Sequence, residues 1–333
     1  MLINFFVNIL YNGEYKSILY FLITFFKMTI LGISFIILYK INNFSDSSLI
    51  NNKNIRVCIC TIGKEENRYI REFVSFYKMF GVDKIFLYDN NDIDKEHFEE
   101  VIKDYIEEEF VKIINWRGIK RPHFKSINDC YVTYNKEYDW LMFYDIDEFI
   151  HLEGYKNIKD YLKEKKFNNC KKIYLNWVFH TDNNLVNYTN ISLRERFPEI
   201  ERDALLNKNY SQKVKSIIRG NISNFTLSKS YHTSHVITDQ VKACNGFGKE
   251  IELDGDYYMN NADSKYYYID HYYTKSVEEF VHKINRGSAV NGNNGRFQFF
   301  RIIRFFQINQ FKKIKFDYIL KNMNFKFNFD IKR

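Results

Sequence analysis

Proline is scarce in this chain, with only 2 among 333 residues, while Asn, Lys, Ile, Phe and Tyr abound. That combination reads as compositional drift, so the 32 Phe and 26 Tyr are not taken by themselves as a binding surface. Paired cysteine motifs are also lacking. Cys58, Cys60, Cys130, Cys170 and Cys244 form no C-x-x-C and no Cys/His zinc spacing. Their odd number argues against a disulfide framework, and Cys58 and Cys60, on one face of a predicted strand, are expected as buried core thiols. Charge of one sign is missing from most of the chain. The net charge is +8, yet residues 291–333 alone carry ten Lys or Arg against two Asp, which is the whole excess. A near-neutral body argues against nucleic acid as a partner.

What remains is ordinary for a folded protein: 45% apolar and 27% charged residues, well mixed. Residues Ile18 to Tyr39 form an almost wholly apolar run. At 1.5 Å per residue it covers roughly 33 Å, enough to cross a bilayer core. Lys27 near its middle opposes insertion by about 2.5–3.5 kcal/mol, which the surrounding Leu, Ile and Phe offset. Residues 1–40 are therefore expected to be a membrane anchor making this a single-pass membrane protein. The flanking charges do not choose between a bacterial cytoplasmic face and a secretory lumen. Residues 41–54, rich in Asn and Ser, read as a linker.

A β/α alternation follows. Strands are predicted at Ile55–Thr61, Lys84–Tyr88, Val111–Trp116 and Trp140–Tyr144, with helices at Glu66–Phe80, Lys95–Glu107 and Lys125–Asn135 between them. Alternation of this kind indicates a mostly parallel sheet with crossover helices. Ligands of such sheets gather at the carboxyl ends of the strands. Thr61–Glu66, Asp89–Asp92 and Asp145–Glu148 all fall there. Later, Lys172–Phe179 reads as a strand, residues 183–231 as mixed and polar, and Val277, Phe280, Val281 and Ile284 as the apolar stripe of a helix that Ser276 could cap.

Asp145 and Asp147 follow an apolar strand directly, and side by side they repel unless a cation or proton intervenes. A divalent ion on the pair would keep vacant positions for a diphosphate. Alone, D-x-D is also a common solvated turn; its place at the end of a fourth strand favours metal.

Here the sequence resembles glycosyltransferase family 92 and its relatives in the family-2 clan. The resemblance rests on Cys60–Phe73, Gly81–Asn90, Asn128-Asp129-Cys130, Trp140–Phe149 and His271-Tyr272-Tyr273-Thr274-Lys275-Ser276 with Lys283 and Arg286-Gly287, in that order over about residues 55–290. Glu65 and His123 depart from the family's usual asparagine and glutamine. The resemblance implies a GT-A glycosyltransferase domain over 55–290, a nucleotide-sugar donor (commonly UDP-galactose), a glycan acceptor, Mn2+ or Mg2+, and inversion at the anomeric carbon. It implies that Thr61, Lys64 and Glu66 border the nucleotide pocket, that Asp89 contacts base or ribose, and that Asp145 and Asp147 hold metal and diphosphate. A late His is often a further metal ligand in such enzymes, which nominates His271 against a core role.

Lys275, His282, Lys283 and Arg286 lie opposite the apolar stripe and would steady a departing diphosphate, unless they form a solvated basic face. Inversion needs a carboxylate base; Asp182 and Glu195 are the candidates, with Glu148 open. His232 and His235 form a weaker pair. The basic aromatic segment 291–333 is either an interfacial helix or the helical end of the domain. Two rival functions stand beside the glycosyltransferase: a sugar nucleotidyltransferase, though Thr61-Ile62-Gly63-Lys64 offers one glycine where such enzymes have several, and a non-catalytic membrane-tethered binding protein.

Overall fold

The computed structural model describes residues 54–120, 122–201, 213–223, 225, 227, 241–254, 258–259, 266–287 and 295–324. The anchor expected over 1–40, the linker to residue 53 and the pair His232/His235 lie outside these. Among the described residues no helix is long and apolar enough to cross a membrane.

The first half is a run of strands and helices: β1 (Val57–Gly63), α1 (Asn67–Met79), β2 (Lys84–Asp89), α2 (Glu99–Glu107), β3 (Val111–Asn115), α3 (His123–Tyr134) and β4 (Trp140–Phe143). β2 and β4 both pair parallel with β1, and β3 pairs parallel with β2, giving the order β3-β2-β1-β4. β1, β2 and β4 are apolar on both faces because each face is covered, whereas the edge strand β3 exposes Lys112 and Asn115. Val57, Ile59, Ile85, Leu87, Trp140 and Met142 join the cluster that holds α1 residues Ile70, Phe73 and Tyr77. Cys58, Cys60, Phe86, Tyr88, Leu141 and Phe143 alternate with them and pack against Ile127, Cys130, Tyr131 and Tyr134 of α3. The chain reverses its direction of travel between β3 and β4, and a right-handed crossover then puts α3 on the face opposite α1 and α2. The reversal opens a crevice at the carboxyl ends of β1 and β4.

The second half departs from a parallel sheet. It comprises β5 (Glu148–Leu152), α4 (Ile158–Leu162), β6 (Lys172–Phe179), α5 (Leu193–Arg196), β7 (Val214–Arg219), β8 (Ala243–Asn245), β9 (Leu253–Asp254), β10 (Tyr258–Met259), β11 (Tyr267–His271), α6 (Val277–Asn285), α7 (Gly295–Ile308) and α8 (Lys313–Asn322). The large sheet continues β4-β7-β6-β11-β5, with β8 beside β6, while β9 and β10 form a separate ribbon. β7 runs antiparallel to both β4 and β6, and β5 antiparallel to β11, so the sheet is mixed, with five of its eight strand pairings still parallel. β4 and β5 stand four positions apart, yet only Tyr144–Asp147 connects them. Four steps across a flat sheet are about 19 Å, at the limit of what five Cα steps reach, so the sheet curls around that turn. Asp145 and Asp147 thereby sit where several strand ends converge.

One expectation is corrected, and one of two open alternatives is favoured. Cys60 is bonded to Cys130 and Cys170 to Cys244, leaving Cys58 as a buried free thiol. The pairing was hidden because each bond joins residues 70 or more positions apart, brought together by the α3 crossover and by β8 docking on β6. Segment 291–333 is not set apart from the domain in its described part. Ile302 and Phe305 of α7 and Ile319 of α8 share a buried cluster with Val277, Phe280, Val281 and Ile284 of α6. The family-like domain thus extends structurally past residue 290.

Thiol titration of the denatured, unreduced chain should find one reactive cysteine, Cys58, and all five only after reduction. Five thiols before reduction would refute both pairings.

Candidate active site

The turn after β1 is built on close approach. A Cβ on Gly63 would lie 2.6 Å from both Ile146 Cδ1 and Phe98 Cζ, so only glycine lets the first strand end against the Asp145–Asp147 turn. Glu65 then takes a left-handed backbone conformation (φ 51°) with its N–H donating to Asn91 Oδ1 at 2.6 Å. Arg286, at the end of α6, donates to the carbonyls of Lys64 (2.6 Å) and Glu65 (2.8 Å) and pairs with Glu66. It clamps the loop from the far side.

The late helix is itself held rigidly. Ser276 and Glu279 form a reciprocal cap at the start of α6, as the sequence suggested for Ser276. Glu279 also receives both guanidinium nitrogens of Arg196 (2.7 and 2.9 Å) and the Tyr69 hydroxyl (2.8 Å), all buried. Just before the cap, Lys275 adopts φ 55°, a second left-handed residue at the site.

From this frame Lys275 and Lys283 both donate to Asp147 Oδ2, at 2.7 and 2.8 Å. Burial pushes the Asp147 carboxyl up, but the two ammonium groups outweigh it and hold it well below the usual range. Asp147 Oδ1 instead faces His271 Nε2 at 3.6 Å, too far for a hydrogen bond. Burial pulls His271 down to about 3, so the imidazole is neutral, and its buried Nδ1 has no hydrogen-bond partner. Asp145 turns the same way, its Oδ2 2.8 Å from Lys215 and its Oδ1 3.7 Å from His123 Nε2. Burial raises its pKa but Lys215 and His123 lower it further, so it stays ionised. Glu148 is fully buried, and desolvation pushes its carboxyl well up despite Lys215 at 3.1 Å; its Oε1 has no hydrogen-bond partner and lies 3.9 Å from His271 Nε2.

Lys64, Glu66, Asp145, Asp147, His271, Lys283 and Arg286 line one cleft of about 230 Å³, with Asn90, His123, Trp177, Tyr273 and Arg301. The sequence nominated the first seven of these. Lys275 supports Asp147 from outside the lining. Thr61 is buried in β1 beside the cleft, its hydroxyl without a partner.

Other nominations fall elsewhere. Asp89 does not face the cleft: its carboxylate is taken by Arg117 (2.6 Å) and by the backbone and side-chain N–H groups of Asn91 (2.9 and 2.7 Å). It orders the Asn90–Asp92 loop, and Asn90 is the residue that reaches the cleft. Asp182 is buried against Lys315 of α8 at 2.6 Å, and Glu195 is exposed on α5. Neither carboxylate is brought to the cleft, so neither is placed to act as the base. His282 faces Glu65 at 3.3 Å.

Reading by motif missed Lys215, Trp177 and Arg301. Lys215 had a signal: a lone Lys in the apolar strand Val214–Arg219 needs a buried acidic partner. Arg301 lay in the segment set aside as a tail.

Set beside known proteins, residues 53–304 match the model of glycosyltransferase family 92. The chain belongs to that family. A glycosyltransferase family 92 protein of Ricinus communis is 26% identical over 74% of this chain and 40% of its own length. One of Oryza sativa subsp. japonica is 30% identical over 32% of this chain and 18% of its own length. This family 92 chain thus spans less than half of the curated relatives it matches. A structural likeness to S. aureus TarS in complex with UDP has 11% identity and a TM-score of 0.32, covering 75% of this chain and 70% of that one.

Two substitutions separate frame from chemistry. Asp182→Asn strands Lys315 in the interior and should destabilise the domain by about 3–5 kcal/mol in denaturant unfolding. Glu195→Gln, at the surface, should leave both stability and turnover within error of the parent.

Proposed function

We propose that this chain is a metal-dependent GT-A glycosyltransferase, moving a hexose, galactose first among candidates, from a UDP-sugar to a glycan acceptor with inversion. The observation that carries the reading is the convergence of Asp145 and Asp147 with four cations, Lys215, Lys275, Lys283 and Arg286, at the β1/β4 crevice. A carboxylate pair alone would repel a diphosphate, and a purely cationic cleft would not retain a divalent ion; the combination accommodates both.

The donor set fits a hard divalent ion in part. Among the described residues no three His, Cys, Asp or Glu side chains are gathered as a metal cage. Asp147 Oδ1 and the neutral His271 Nε2, facing each other without a hydrogen bond, are the protein's two best-placed donors, with Asp145 beside them. Mn2+ or Mg2+ held there would supply Lewis-acid stabilisation of the diphosphate.

The protein's own groups then divide the work. Lys275 keeps Asp147 ionised, and Lys283 does so while lining the cleft, where its ammonium can meet phosphate oxygens. Arg286 holds the Lys64–Glu66 loop that would close over the nucleotide. Asn90 stands at the end of β2 in the position the base would approach. Trp177 and Tyr273, each in ring contact with His271, line the cleft and are suited to a sugar ring. The apolar run at 18–39 would tether the domain to a membrane.

The test is a screen of nucleotide sugars for donor hydrolysis and transfer, with and without manganese, comparing the parent with Asp147→Ala. Turnover should prefer one uridine diphosphate sugar, require the metal, and fall about a hundredfold or more in the variant. Equal rates in parent and variant, or no turnover with any donor, would sink the proposal.

A further inference from the structure

The described part of the basic aromatic segment has two faces. Ile302 and Phe305 of α7 and Ile319 of α8 are buried against α6. The opposite face of α7 shows Phe299, Phe300 and Ile303 to solvent, at 38, 55 and 39% exposure. These positions recur at i, i+1 and i+4, one stripe of a helix. Phe306, half-buried against the α6 cluster, borders the stripe and touches Phe311 and Phe316, with ring centroids 5.0 and 6.0 Å away. Phe311, in the turn before α8, is 63% exposed, and Ile314, in its first turn, 66%. Between them Lys312 and Lys313 are exposed and pair with no described acid. A soluble surface does not ordinarily display five large apolar side chains in one band.

From this surface we infer that α7, the turn after it and the start of α8 form a docking face for a lipid bilayer with anionic headgroups. The apolar stripe supplies side chains that gain by entering the headgroup–acyl boundary. Its cationic setting selects the occupant: the exposed Lys312, Lys313 and Lys321 outnumber Asp317, the one acid of α8, and Lys312 and Lys313 lie directly between the exposed Phe311 and Ile314. A second copy of the chain would bring the same positive band and be repelled, whereas an anionic surface is attracted. The inference does not depend on the glycosyltransferase reading, nor on the apolar run at 18–39. It concerns how the domain is oriented on a membrane, with α6 and the cleft residues Lys283 and Arg301 directly behind the docking helices.

The test uses the full chain reconstituted into vesicles, with an environment-sensitive fluorophore on single cysteines introduced by Ile314→Cys or Phe300→Cys. Met79→Cys, 74% exposed on α1, is the control. In mixed phosphatidylcholine–phosphatidylglycerol vesicles the labels at 314 and 300 should shift to the blue and be quenched by brominated acyl chains. The label at 79 should do neither. Lys312→Glu with Lys313→Glu should lower the docked fraction at least about fivefold per lysine, as should pure phosphatidylcholine or high salt in direction. Labels at 314 and 79 that behave alike in both vesicles would overturn the docking face. Equal quenching with and without phosphatidylglycerol would overturn the role of charge. A blue shift that grows with protein concentration, irrespective of lipid, would assign the face to a second copy instead.

Discussion

Two lysine ammonium groups meeting at Asp147 Oδ2 hold the site together. Asp147 is buried, and without them desolvation would favour its neutral form. The lysines come from 128 and 136 residues further along the chain, so the carboxylate keeps its charge only if the late helix is fixed against the first sheet half. That requirement accounts for much of the surrounding construction. The Ser276–Glu279 cap, the bidentate Arg196–Glu279 pair and the Tyr69 hydroxyl fix the start of α6, while α7 and α8 cover its apolar side. Arg286 at its other end then grips the loop after β1.

The same arrangement explains why neighbouring groups sit in opposite protonation states. Lys215 keeps Asp145 ionised, yet Glu148, fully buried, is pushed toward its neutral form. His271 stays neutral because burial outweighs the nearby carboxylates. An ionised acid and an uncharged imidazole on one wall, with ammonium and guanidinium groups behind and beside them, form a polar surface that needs little rearrangement to receive a charged ligand. The curled sheet makes this possible, since it gathers the ends of β1, β4, β6 and β11 around a four-residue turn.

The first four strands and three helices were legible because each element is covered on one or two faces by its chain neighbours, and such packing leaves a period in the sequence. The observed boundaries of β2, α1 and β6 differ from the sequence reading by no more than a residue or two. β7 was not legible: it is a short strand inside a polar stretch, paired with β4 and β6 from distant parts of the chain. The disulfides were misjudged for the same reason. Among site residues, Asp145, Asp147, His271, Lys283 and Arg286 were visible as motif positions. Asp89 and Asp182 looked equally functional, since a carboxylate at a strand end reads alike whether it faces a cleft or an arginine.

By itself, then, the sequence determined which strand ends carry chemistry, which residue types they carry, and the family to which they belong. These follow from local periodicity and from side-chain identity, both written in order along the chain. Tertiary structure alone decided which acids face the cleft and which are spent on Arg117 and Lys315, which lysines keep Asp147 charged, and that Lys215 and Arg301 belong to the site. Those outcomes depend on charge pairing and desolvation between segments more than a hundred residues apart in several cases, and neither leaves a periodic trace in sequence.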